Sequence, residues 1–231
     1  MIMTSMYSFI WKGLDSWKDF GIIINTLPPW SIPEKNVDEI EIQGRDGNLT
    51  IDYGTYKSLT IPLACTLWDD ANIDEVKAWL TGYSDLSFNW APTKVYHGKL
   101  INRIDIAQSL DNLGEFPLIF STQPFAYATD NLKATLGTSG TIINPGSTIS
   151  LPLITIYGTG ALTLVINDNL VNFKDIVTSI TIDSDLMDAY CGNQNMNNNM
   201  SGEFPELSIG TNTINSSGVT KIEITPNFRY L

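Results

Sequence analysis

The stretch SLTIPLACTLW at 58–68 alternates apolar and polar residues, with Leu59, Ile61, Leu63, Cys65 and Leu67 on one face. Successive side chains of a strand point to opposite faces, so this spacing describes a β-strand with one buried side. Pro62 falls on the other face and predicts an edge strand or a bulge, because proline cannot donate to a ladder. The alternation recurs in IEIQ at 40–43 and LTIDYG at 49–54, and strand signals continue through LSFNW at 86–90, KVYHGKLINRIDIAQ at 94–108 and LGEFPLIFSTQPFAYA at 113–128. SLDNLG at 109–114 reads as the turn between the last two. A chain so patterned is an all-β protein, interrupted by a helix at one place.

That place is DDANIDEVKAWLTG at 69–82. Asn72 or Asp70 is the N-cap, acids fill the first turn, Ile73, Val76 and Leu80 form the stripe with Trp79 beside it, and Gly82 stops the helix. Beyond it the composition shifts. TDNLKATLGTSGTIINPGSTIS at 129–150 is rich in Gly, Thr and Ser, which places a domain junction there and divides the chain into 1–130 and 131–231. Short strands follow at 151–158, 161–167, 170–174, 179–184, 188–192, 206–214 and 220–228, a spacing that predicts a β-sandwich. INDNLV at 166–171 reads as a hairpin turn and the Asn-rich GNQNMNNNMSG at 192–202 as an exposed loop.

Charge narrows the function classes. Thirteen Lys and Arg stand against twenty-five Asp and Glu, for a net charge of −12. Such a chain repels phosphate, which argues against sequence-independent nucleic-acid binding. No apolar run reaches membrane-spanning length and the first ten residues carry no basic, apolar leader, so neither a membrane nor a secretory route is expected. Cys65 and Cys191 are too few and too far apart for a disulfide framework and read as buried free thiols made in a reducing compartment. The sequons at Asn48, Asn199 and Asn215 then have no glycosylation to report.

Candidate chemistry is sparse. EIQGRDGNLTID at 41–52 offers Asp46, Asn48 and Asp52 at even spacing, but Thr50 stands where a calcium loop needs a ligand and Gly47 comes too early. Its better reading is a turn, with Gly47 free to adopt positive φ. His97, the lone histidine, has no nucleophile elbow or cysteine signature with it and reads as structural or surface-exposed. The carboxylate sets Asp69–Asp70, Asp74–Glu75 and Asp183, Asp185, Asp188 sit at a helix start and a strand end, where acids serve the dipole and turns. GTGALT at 158–163 opens a strand and not the helix a phosphate loop needs. No catalytic residue, cofactor or metal is expected. All six tryptophans lie in the first segment, favouring a large aromatic core or an interface there. The second offers only Tyr157, Phe173, Tyr190, Phe204, Phe228 and Tyr230 as a sugar platform.

Read in order, SFIWKGLDSWKDFGIIIN at 8–25, PP at 28–29, IQGRDGNLTIDYGTYKSLTIPL at 42–63, IDEVKAWL, FSTQPFAYA at 120–128, INPGSTISLPLITIYGTGALTLVIN at 143–167, ITIDSDLMDAY at 180–190, GEFPELSIGTNTI at 202–214 and the closing ITPNFRYL form a series. This order resembles the distal tail protein family of siphophages, mostly those infecting Gram-positive bacteria. The resemblance implies an N-terminal β-sandwich or split-barrel-like domain with one α-helix and an extended arm, plus a C-terminal galectin-like β-sandwich. It implies a non-enzymatic homohexameric ring at the virion's tail tip, made in the host cytoplasm. Its partners would be the tail tube protein, the tail-associated hub protein and, in some phages, receptor-binding baseplate proteins. The residues before Tyr7 depart from the pattern, and the second domain has no insertion for a separate sugar-binding module. Within the ring, the turn Gly44, Arg45, Asp46, Gly47 is the candidate subunit contact. Two rival readings are a carbohydrate-binding module for host wall polysaccharide and a tail-associated hydrolase using a carboxylate pair.

Overall fold

The computed structural model describes residues 6–29, 31–68, 72–102 and 114–231. The protein is mainly β, and the chain divides into two compact units, Met1–Thr129 and Asp130–Tyr230. The aspartates at 69–70, the end of the strand expected at 94–108, residues 109–113 of the expected turn and Trp30 lie outside the described residues.

In the first unit β1 (Phe9–Trp11), β2 (Leu14–Asp15), β3 (Ile22–Thr26), β6 (Leu59–Leu67), β7 (Tyr83–Phe88), β8 (Ala91–Leu100) and β9 (Gly114–Thr122) form one antiparallel sheet in the order β2-β1-β7-β8-β9-β6-β3. A short β10 (Ala126–Ala128) pairs with β8. The sheet curls until its ends meet: Ile24 N donates to Tyr7 O at 2.9 Å, and the Ser16 hydroxyl, fully buried, accepts from Phe9 N and donates to Ile22 O. In β6 the face drawn from the sequence is the buried one, with Ile61, Leu63, Cys65 and Leu67 in the core. Pro62 pairs with Ile119 of β9, while β3 reaches only to Ala64, so the proline sits where the strand is locally an edge.

The helix α1 (Ile73–Trp79) begins at Asn72, whose side chain accepts from Asp74 N. Val76, Trp79 and Leu80 are buried. Trp79 anchors the helix: its indole N–H donates to Trp11 O at 2.8 Å while the Trp11 indole donates to Trp79 O at 3.1 Å. Phe9 and Phe20 stack on the Trp79 ring. Of the two readings of the tryptophans, core or interface, Trp11 and Trp79 take the first and carry the helix, while Trp68 is exposed.

The expected strand over 113–128 is broken at Gln123–Phe125, because Pro124 cannot continue a ladder. Larger corrections concern the second unit. The separate strands expected at 151–158 and 161–167 are one, β13 (Leu153–Ile166), and those at 206–214 and 220–228 are largely one, β19 (Gly210–Thr225). Both strands shift register along their length and serve two halves of one sheet. The half of β13 at 153–157 pairs with β15 (Ser179–Asp183), and the half at 160–166 with β14 (Asn169–Ile176). In the same way β19 pairs with β12 (Ser139–Asn144) before its register shift and β11 (Ala134–Leu136) after it. The shift falls at glycines: a Cβ on Gly158 would meet Gly218 O at 2.7 Å, and one on Gly218 would meet Ala161 O at 2.8 Å. Glycine here marks a close crossing of two backbones, where the sequence suggests a turn. Between the two sheet halves lie Ile154, Ile156, Leu162, Leu164, Ile180, Ile182, Ile214, Ile222 and Ile224, all essentially inaccessible.

The Asn-rich segment is largely exposed, as expected, but is not an irregular loop. It contains β17 (Gln194–Asn195), a 3₁₀ turn over Asn197–Asn199 and β18 (Met200–Ser201), with Met196 buried. Its amides replace regular ladder bonds: Asn197 Oδ1 accepts from Ala189 N at 2.6 Å, and Asn199 Nδ2 donates to Lys174 O. The Asn-Pro-Gly motif has a similar role. Asn144 is buried, accepts from Gly146 N and donates to Thr148 O and Leu207 O. INDNLV is a two-residue hairpin turn, with Asn167 at φ 53°.

Gly158→Ala is expected to destabilise the second unit by about 1–3 kcal/mol, the cost of forcing a side chain into a packed backbone crossing. Urea unfolding followed by circular dichroism measures it, and an unchanged midpoint would mean the crossing relaxes freely.

Candidate subunit interface

Two strands stand apart from both sheets. β4 (Lys35–Glu41) and β5 (Asn48–Tyr56) pair only with each other. The turn between them is the one expected: Arg45 N donates to Ile42 O at 3.1 Å, with Gly44 at φ 86° and Gly47 at φ 77°. Both values lie where an L side chain is strained, which is the physical reason for two glycines. Arg45 and Asp46 project from the tip and are exposed.

The register assigns the faces. Ile40 faces Leu49 and Asp38 faces Ile51, so these four share one side, continued by Tyr53, whose hydroxyl donates to Asp38 at 2.6 Å. The other side carries Val37, Glu39, Glu41, Asn48, Thr50 and Asp52. The hairpin is therefore amphipathic, with one face mainly apolar apart from Asp38 and the other mainly polar and acidic apart from Val37. The alternation in IEIQ and LTIDYG is real, but the buried face it predicts is absent: Ile40 is 45% exposed, Leu49 and Ile51 38%, and Tyr53 52%. No second layer of this chain covers them among the described residues. An isolated two-stranded hairpin is marginal in water, and a contiguous exposed apolar face marks a contact surface.

Polar pairs line the hairpin. Lys35 Nζ meets Asp52 Oδ2 at 2.8 Å and Lys57 Nζ meets Glu34 at 3.4 Å, while Asn48 Nδ2 donates to Glu39. The hydrogen bond from Lys35, with a second from Gly54 N, holds the Asp52 carboxyl below its usual value, and the same contact raises Lys35. The bond to Asp38 raises the Tyr53 phenol. All these groups are exposed, so their contribution to stability is small; they shape the hairpin more than they hold it.

The other sequence candidates separate in space. His97 faces Asp85 across β7 and β8, Nδ1 to Oδ1 2.6 Å, and its ring packs on Tyr127. Neither neighbour is a serine, threonine or cysteine that the imidazole could activate. Asp183 Oδ1 accepts from the backbone of Asp185 and Leu186, and Asp188 Oδ1 accepts from Asn195 and Asn197, so these carboxylates close turns. Asp74 and Glu75 belong to the first turn of α1. Among the described residues no group of His, Cys, Asp or Glu could hold a metal ion, and no helix is long and apolar enough to cross a membrane. Cys65 is buried, its thiol pushed up to about 12 by desolvation. Cys191 is only half-buried, contrary to expectation, because it lies near the edge of its sheet.

Of the six aromatics offered as a sugar platform, Phe173 is buried and Phe204 and Phe228 pack on the core. Tyr157 lies on the outer side of the sheet with its ring capped by Lys221 Nζ, 4.1 Å from the centroid, and its hydroxyl on Glu223. Glu223 also meets Lys221 at 2.8 Å and Lys133 at 3.1 Å. Hydrogen bonds from those two ammoniums hold its carboxyl at about 2.

Comparison with known proteins returned no matching family model and no matching curated protein. Among solved structures, the chain is similar to the Dit protein (gp 19.1) of phage SPP1, described as a paradigm of the hub adsorption apparatus in phages infecting Gram-positive bacteria. The TM-score is 0.74 at 13% identity, over 97% of this chain and 99% of that one. At that identity the likeness establishes the fold alone, a mainly β architecture shared with that Dit protein.

Glu223 gives a pH prediction. Its pKa falls on folding, so its stabilisation is complete above the unfolded value, near 4.5, and is lost as pH falls towards about 2. Thermal melts between pH 4.5 and 2 should show wild type losing stability faster than Glu223→Gln; parallel curves would contradict the role of the two lysines.

Proposed function

We propose that this chain is a structural protein of a phage tail tip: a distal tail protein that closes into a homohexameric ring between the tail tube and the adhesion hub. The observation that carries this reading is the uncovered apolar face of the β4–β5 hairpin, on a fold shared over almost its whole length with the SPP1 Dit protein. An uncovered apolar sheet face suits a protein partner. Cyclic symmetry supplies one by repeating a head-to-tail contact until the ring closes. In this reading the arm of one copy lies on the next, with Arg45 and Asp46 at the tip in polar contact. The ring's two sides take the tail tube protein and the tail-associated hub protein, and receptor-binding baseplate proteins dock at the periphery. The second unit is the galectin-like sandwich of that arrangement. The protein acts in the virion without catalysis, without nucleic-acid binding and without a membrane.

The carbohydrate-binding reading finds less support. Stacking a sugar requires a free aromatic face, and Lys221 lies over the Tyr157 ring.

Light scattering over a concentration series, with negative-stain microscopy, tests the ring. Wild type is expected to reach the mass of six chains. Ile51→Asp, which puts a charge into the apolar face, should raise the concentration for half-assembly by about a hundredfold, as for a hot-spot residue. Arg45→Ala should act in the same direction and more weakly. A chain that stays monomeric even with the hub protein co-expressed would overturn the reading.

A further inference from the structure

The arm is not a straight hairpin. Lys35 pairs with Tyr56 and Val37 with Asp52, so between these pairs β4 supplies one residue, Asn36, and β5 three, Tyr53, Gly54 and Thr55. The excess is a bulge, and a bulge bends its strand and increases the local twist. Side chains lock it from several directions. Asp52 uses both carboxylate oxygens, Oδ1 accepting from Gly54 N at 2.8 Å and Oδ2 meeting Lys35 Nζ on the opposite strand at 2.8 Å. Tyr53 donates to Asp38 across the pair, and Asn36 Nδ2 donates to Thr55 Oγ1. Gly54 sits at φ 69° with nothing within 4 Å of the place a Cβ would occupy, so glycine answers a backbone requirement there and not a lack of space.

These contacts are out of proportion to anything they support in their own unit. Asn36, Asp52, Tyr53, Gly54 and Thr55 are all exposed. On the body side of the bulge the arm is rooted: Pro33 is buried, Lys57 N donates to Glu34 O, and Tyr56 packs edge-on against Phe125 at 5.4 Å. On the far side lie Ile40, Leu49 and Ile51 with no cover. A fixed bend between a rooted base and an unpartnered face sets where that face points.

We propose that this carboxylate-locked bulge is the aiming joint of the arm: Asp52 and Gly54 are positioning residues that hold the distal hairpin at the angle at which a second copy of the chain receives its apolar face. The inference rests on the ring reading and adds to it the element that orients the contact without forming part of it.

Spin labels at Gln43→Cys and Lys99→Cys, in a full-length Cys191→Ser background, report the arm's direction by pulsed dipolar spectroscopy on the monomer. Wild type should give one narrow distance. Asp52→Ala and Gly54→Val should broaden or shift it. Gly54→Asn, which tolerates positive φ, should restore it. In unlabelled protein, Gly54→Val should raise the concentration for half-assembly by about tenfold, the penalty expected of one strained residue, with the melting temperature unchanged. An unaltered distance in Asp52→Ala and Gly54→Val overturns the joint. An altered distance with wild-type assembly overturns its role in assembly. A wild type that never assembles overturns the ring reading and that role with it, while the monomer distances still decide whether the joint exists.

Discussion

Two tryptophans exchange hydrogen bonds at the centre of the first unit, each indole donating to the other's backbone carbonyl. The exchange ties α1 to β1 and satisfies two donors that would otherwise be buried without partners, an omission that costs about 1–3 kcal/mol each. Phe9, Phe20 and Phe120 close around the pair. The curled sheet depends on this knot because its order leaves β3 and the β2–β1 end to meet through few bonds. A packed body results at the base of the arm.

The arm inverts the logic of that core. Its strands alternate as faithfully as β6 does, yet its apolar side chains meet no second layer. In β6 the alternation is satisfied within the chain. In β4 and β5 no element of the described chain satisfies it, and in the proposed ring a second copy would. The acidic character of the opposite face fits a surface that stays wet or screens against unwanted partners.

Much of the fold was legible because the governing interactions are local. The buried face of β6, the Asn72 cap, the turn at Gly44–Gly47 and the Asn167–Asp168 hairpin each follow from a few adjacent residues. The motifs behind the family resemblance turn out to be backbone devices: Asn144 closing Asn-Pro-Gly, Gly158 at the strand crossing, Asp183 capping the turn after Ile182. The merged strands were not legible. A glycine between two apolar runs signals a chain reversal or a bend with equal force, and only the backbone packed against Gly158 and Gly218 distinguishes them. The asparagine segment is exposed as its composition says, but its short elements were hidden because polar side chains can face water or replace backbone partners, and composition does not say which.

For the candidate interface the division is sharper. The sequence by itself determined that 40–43 and 49–54 alternate about a glycine turn, because period and turn chemistry are properties of neighbours; that the first strand runs back to Lys35 came from the structure. Whether the apolar side of that pair is core or contact surface is not a property of neighbours. It depends on whether some distant strand or helix packs over it, and only the tertiary structure shows that the rest of the described chain leaves Ile40, Leu49, Ile51 and Tyr53 uncovered.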